Sequence, residues 1–94
     1  MEKPTELIIL DHIEGSCRAI YESIDYDVLS EQCCVVEELC DILSEAKDNI
    51  SQDCKIEITK KLTALLKEKP AKHEWPEFIG GSCRAIDDLL LRLL

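Results

Sequence analysis

Leu29, Cys33, Val36, Cys40 and Leu43 follow one another at steps of four, three, four and three residues. That spacing gathers all five on one side of an α-helix, whereas a strand would divide them between two faces. The same rhythm recurs along the chain. Leu10, Ile13, Cys17, Ile20 and Ile24 make a stripe after Pro4, Cys54, Ile58, Leu62, Leu65 and Leu66 a third, and Cys83, Ile86, Leu90 and Leu93 a fourth. Four such segments fill most of 94 residues, and three Gly and three Pro are too few turn formers for a sandwich or barrel. The prediction is an all-α protein, an antiparallel bundle of four helices making a single domain over residues 1–94. Its interior must be aliphatic and sulfur-rich, because aromatics are only 4% of the chain.

Helix limits follow from the residues between the stripes. Asp25 or Asp27 can cap a second helix over 28–47, since a short carboxylate accepts from the free N–H groups of a first turn. In "KDNIS", at 47–51, Asn49 suits a left-handed C-terminal position and Ser51 an N-cap for a third helix over 52–68. If Ala46, Ile50 and Cys54 instead carry the stripe through, helices two and three fuse and the bundle has three. Pro70 and Pro76 make 69–78 a connection, because residues before proline avoid the helical region. Trp75 and Phe78 are placed to anchor it to the bundle end. The last helix runs over 76–94, with Pro76 in a first turn where it forfeits no hydrogen bond, or over 82–94 if Gly80-Gly81 breaks it.

The hexapeptide "GSCRAI" occurs at both 15–20 and 81–86. Gly15 and Ala19 share a helix face, as do Gly81 and Ala85, and small residues so spaced let two backbones approach closely. A glycine inside a helix costs about 1 kcal/mol relative to alanine, which close packing can offset. The first and last helices are therefore expected side by side, crossing near Gly15 and Gly81, or the same patches are expected to meet in a dimer. Arg18 and Arg84 occupy equivalent places beside the small residues, where they could act as a pair on a partner's anionic group.

Charge narrows the function. The net charge is −9, and residues 1–50 hold 13 acids against three bases. Such a surface repels a phosphate backbone, so nucleic acid is not an expected partner. An acidic face can instead hold a basic protein surface, in the extreme as a mimic of nucleic acid. "ELIILDHI" is too short and too charged at its flanks for a signal peptide or a membrane span. A cytoplasmic protein without membrane attachment is expected, its six cysteines reduced.

Those cysteines lack the Cys-x2–4-Cys spacing by which zinc sites declare themselves. Five lie on the apolar stripes and read as small buried hydrophobes; Cys34 alone lies off them. No metal ligand, cofactor or catalytic residue is assigned. His12 and Ser16 are one helical turn apart but have no third partner, and His73 lies in the connection with no cysteine near it in sequence. The expected function is a non-catalytic, small acidic interaction or regulatory module with a protein partner, with Trp75, Phe78, Arg18 and Arg84 as candidate partner contacts. "DDLLLRLL" at 87–94 carries more leucine faces than a small bundle covers, which points to a homodimer. The alternative is a thiol protein that binds a soft metal or senses oxidation.

Overall fold

The computed structural model describes residues 3–94, and all its regular structure there is helical. Helix α1 spans Thr5–Glu22, α2 Tyr26–Glu45, α3 Gln52–Lys67 and α4 Pro76–Leu93, with one 3-10 turn, Lys47–Asn49, between α2 and α3. The capping residues act as their chemistry predicts. The Asp25 carboxylate accepts from the N–H of Asp27 and Val28, and the Ser51 hydroxyl accepts from the N–H of Cys54. Helix α4 begins at Pro76 and runs through Gly80-Gly81 without a break.

Around the bundle the helices follow the order α1, α2, α4, α3. Helix α2 packs along α1 and α4, while α3 packs against α1 and α4 on the other side. Consecutive helices run antiparallel. Alternation makes α1 parallel to α3 and α2 parallel to α4, and the diagonal α2–α3 connection across the bundle's end sets each parallel pair side by side. Contacts between Arg18 and Glu68 and between Arg92 and Ser44 show the two parallel pairings. Ile50, buried in the diagonal connection, closes that end of the core. It is the lower end, where α1 and α3 begin and α2 and α4 finish.

The interior collects most of the predicted stripes, but Cys54, Leu66 and Leu90 are only half-buried, and on α4 Leu89 takes the inward place expected of Leu90. Leu10, Ile13, Cys17 and Ile20 of α1 meet Leu29, Cys33, Val36, Cys40 and Leu43 of α2, with Ile58, Leu62 and Leu65 of α3 and Ile79, Cys83, Ile86, Leu89 and Leu93 of α4. Burying one leucine or isoleucine fully is worth about 1.5–3 kcal/mol, and most of these are wholly covered.

Three further expectations are corrected. Ile24 does not continue the α1 stripe, because α1 ends at Glu22 and Ser23 turns extended so that its hydroxyl receives the Asp25 N–H; Ile24 is 70% exposed. Asn49 is not left-handed, since no non-glycine described residue has positive φ, and it closes the 3-10 turn by donating to the Ala46 carbonyl at 2.8 Å. Finally, α1 and α4 are not neighbours crossing at glycines. They face each other across the diagonal, and their link runs from Tyr21 to Cys83 at 3.5 Å. A Cβ on Gly15 would meet nothing within 4 Å, and one on Gly81 would point at α2, 3.4 Å from Cys33 Sγ.

The two hexapeptides still occupy equivalent settings. In each copy the Ser, Cys and Ile are buried, the Arg is exposed and the Ala is half-buried.

Candidate functional site

The connection between α3 and α4 is a strap drawn over the upper end of the bundle. His73 Nδ1 accepts the Trp75 backbone N–H at 3.0 Å, so a neutral ring carries its proton on Nε2. That nitrogen donates to the Ser23 carbonyl at 2.8 Å, and the Trp75 indole N–H donates to the Ile24 carbonyl at 3.2 Å. Two side chains of the strap thus satisfy the Ser23 carbonyl, at the C-cap of α1 where no intrahelical partner follows, and the Ile24 carbonyl just beyond it.

This latch builds an aromatic cluster. Tyr26, in the first turn of α2, meets Trp75 and Phe78 edge-on, each at a ring-centroid distance of 5.2 Å. Trp75 and Phe78, the two aromatic residues singled out in the sequence, are half-buried, and the Phe78 carbonyl lies 3.7 Å from Cys33 Sγ. The cluster's outer surface continues into Ile24 and Tyr26, both more than half exposed, and Val28 is exposed one turn along. Tyr26, Ile24 and His73 were not identified from sequence as parts of such a site. The Tyr between two acids in "DYD" was the available signal, a ring set on the first turn of a helix that Asp25 begins.

The two equivalent arginines are not brought together. Arg18 is held by Glu14 at 3.0 Å and Glu68 at 3.5 Å, and these carboxylates, Glu68 first, raise its pKa further. It lines a cleft between α1 and α3. Arg84 lines a different cleft, of about 280 Å³ between α2 and α4, among Glu37, Asp41 and Asp88. Each guanidinium stands among the chain's own carboxylates. Of the small residues, Gly81 and Ala85 share the Arg84 cleft, whereas Gly15 is exposed on α1.

At the lower end a larger cleft of about 750 Å³ separates α3 from α4, lined by Lys55, Ile56, Thr59, Lys60, Leu93 and Leu94. Ile56 is 57% exposed, Leu94 93% and Leu91 70%. Of the leucines in "DDLLLRLL", the bundle buries Leu89 and Leu93 and half-covers Leu90, which leaves Leu91 and Leu94 in solvent.

All six thiols are free. Burial pushes the pKa of Cys17 and Cys33 up to about 11 and that of Cys40 up to about 12, so these sulfurs are protonated and weakly nucleophilic at neutral pH. Cys34 is exposed on the outer face of α2 and Cys54 is half-buried on α3. Among the described residues, no three His, Cys, Asp or Glu side chains are grouped to hold a metal ion, and no helix is long and apolar enough to cross a membrane. Comparison with protein-family models, curated proteins and solved structures gives no match.

Proposed function

We propose that this chain is a small, acidic, non-catalytic interaction module that pairs with a second copy of itself. One observation supports the pairing: Asp87 and Leu91 on α4 and Leu94 at its C-cap lead to the cleft lined by Lys55, Ile56 and Leu94, and both leucines are uncovered. Residues four apart on a helix share a face, which aligns Asp87 with Leu91, and Leu94 follows three residues on at the helix end. An antiparallel two-fold pairing centred on Leu91 is self-complementary. It buries the leucines of both copies and sets Asp87 of each at the level of Leu94, hence of Lys55, in the other. A closed two-fold contact of this kind matches one patch to itself and does not propagate into fibres.

The chemistry of the thiols fits the same reading. Burial and raised pKa values suit Cys17, Cys33 and Cys40 to packing and not to attack on a substrate. Six reduced thiols in one small chain fit a reducing compartment, and the cytoplasm is the proposed location.

Sedimentation equilibrium tests the pairing. The wild-type protein should be dimeric at high micromolar concentration, and the double variant Leu91→Asp, Leu94→Asp should be a folded monomer, since both sites are exposed. A wild-type protein that stays monomeric over that range overturns the homodimer.

A further inference from the structure

We propose that the upper end of the bundle is a docking surface for a basic amphipathic helix of a partner protein. The inference rests on the interaction-module reading, and it uses the end opposite the proposed self-pairing stripe. Its centre is apolar: Ile24 at 70% exposure and Tyr26 at 52%, set against Trp75 and Phe78. Its surround is anionic. Residues 22–31 and 74–78 contain six acids, Glu22, Asp25, Asp27, Glu31, Glu74 and Glu77, and no base. All six are exposed. The nearest bases in sequence are Lys72 in the strap and Arg18 on α1, and Arg18 is already held by Glu14 and Glu68.

An apolar centre ringed by one sign of charge selects a partner with apolar anchors flanked by the other sign, and an amphipathic helix presents that pattern every three to four residues. The site is also ordered before anything binds. Both ring nitrogens of His73 and the indole N–H of Trp75 are engaged, so Trp75 is held against Tyr26 by bonds to backbone that α1 already fixes. A prearranged aromatic anchor loses little freedom on binding. A second copy is a poorer occupant, because the basic outer face of α3 offers Ile56 as its one exposed large apolar side chain.

Trp75 is the sole tryptophan, which makes the site its own reporter. The probe is a synthetic helical peptide with leucines on one face and lysines on the other, titrated against the full chain while tryptophan emission is followed. A peptide with glutamates in place of the lysines is the control. The lysine peptide should bind saturably, weaken as salt rises, and lose about tenfold or more in affinity against Ile24→Asp and against Glu74→Lys with Glu77→Lys. Both variants change exposed side chains, and circular dichroism checks that each remains folded.

Equal binding of the two peptides, salt-independent binding, or affinity unchanged by Ile24→Asp overturns the proposal. So does an emission change that the protein shows on concentration alone, which would make a second copy the occupant. A dimer by sedimentation that ignores the lysine peptide overturns this inference and leaves the pairing through α4 standing. Peptide binding by a strict monomer does the reverse.

Discussion

The phenol of Tyr21 donates to the carbonyl oxygen of Leu65 at 2.9 Å, which ties α1 to α3 through the interior of the bundle. The bond is half-buried, and the Leu65 carbonyl also receives the Glu68 N–H at the end of α3. Tyr21→Phe removes this bond together with the hydroxyl's 3.5 Å contact to Cys83 Sγ, and should lower stability by about 1 kcal/mol. Tyr26→Phe, whose residue is half in solvent, should cost nearly nothing. Urea unfolding followed by circular dichroism compares the two midpoints.

The three glycines should respond differently to alanine, although each lies inside a helix. A Cβ at Gly15 or Gly80 meets nothing within 4 Å, so the helix preference of alanine acts unopposed and each substitution should stabilise by about 0.5–1 kcal/mol. At Gly81 the new methyl lies 3.4 Å from Cys33 Sγ and 3.7 Å from Glu37, and the gain should be smaller or absent. Thermal melts of the three single variants give the ranking.

Thiol labelling in native buffer should modify Cys34 and Cys54 well before the buried cysteines, and in denaturant all six should react alike. The same burial gives an alkaline limit to stability. Cys17, Cys33 and Cys40 have folded pKa values above the ordinary 9.0, up to about 11, 11 and 12. Their protonated form favours the fold, so this contribution is complete below pH 9.0 and is lost as pH rises from there through 11–12. Denaturation midpoints measured on either side of pH 9 should fall on the alkaline side, and Cys40→Ala should flatten that fall.

A charge exchange probes the α4 pairing without touching the leucines. Lys55→Asp alone, or Asp87→Lys alone, should weaken self-association, because each sets like charges opposite one another. The double variant should recover much of the lost affinity. Sedimentation of the three proteins at one salt concentration makes the comparison, and added salt should shrink all the differences.

Periodicity alone carried the reader to the core: Leu10, Ile13, Cys17 and Ile20 are buried because residues three and four apart share a face. Capping chemistry likewise pointed to Ser51 and narrowed the other cap to Asp25 or Asp27, of which the structure uses Asp25. What local rules leave open is the order of helices around the bundle. A stripe says which side of α1 is buried and not which helix lies against it, so the shared hexapeptide pointed to a glycine crossing that the diagonal connection does not permit. The aromatic end was half legible for the same reason. Trp75 and Phe78 stood out in and beside the proline-bounded connection, but their partners Tyr26 and Ile24, and Ser23 for His73, lie about fifty residues away in sequence, beyond any local pattern.

The matched burial of the two hexapeptides poses a problem of identity during folding, since either terminal helix offers α2 the same inward triplet. The residue that follows each copy separates them. After the first comes Tyr21, whose hydroxyl reaches the Leu65 carbonyl; after the second comes Asp87, exposed to water. Direction separates them as well: α1 runs antiparallel to α2 and α4 parallel to it, so α4 cannot take the berth of α1 without reversing its course. Chain direction and the Tyr21 hydroxyl thus give two segments of identical spelling different places in the bundle.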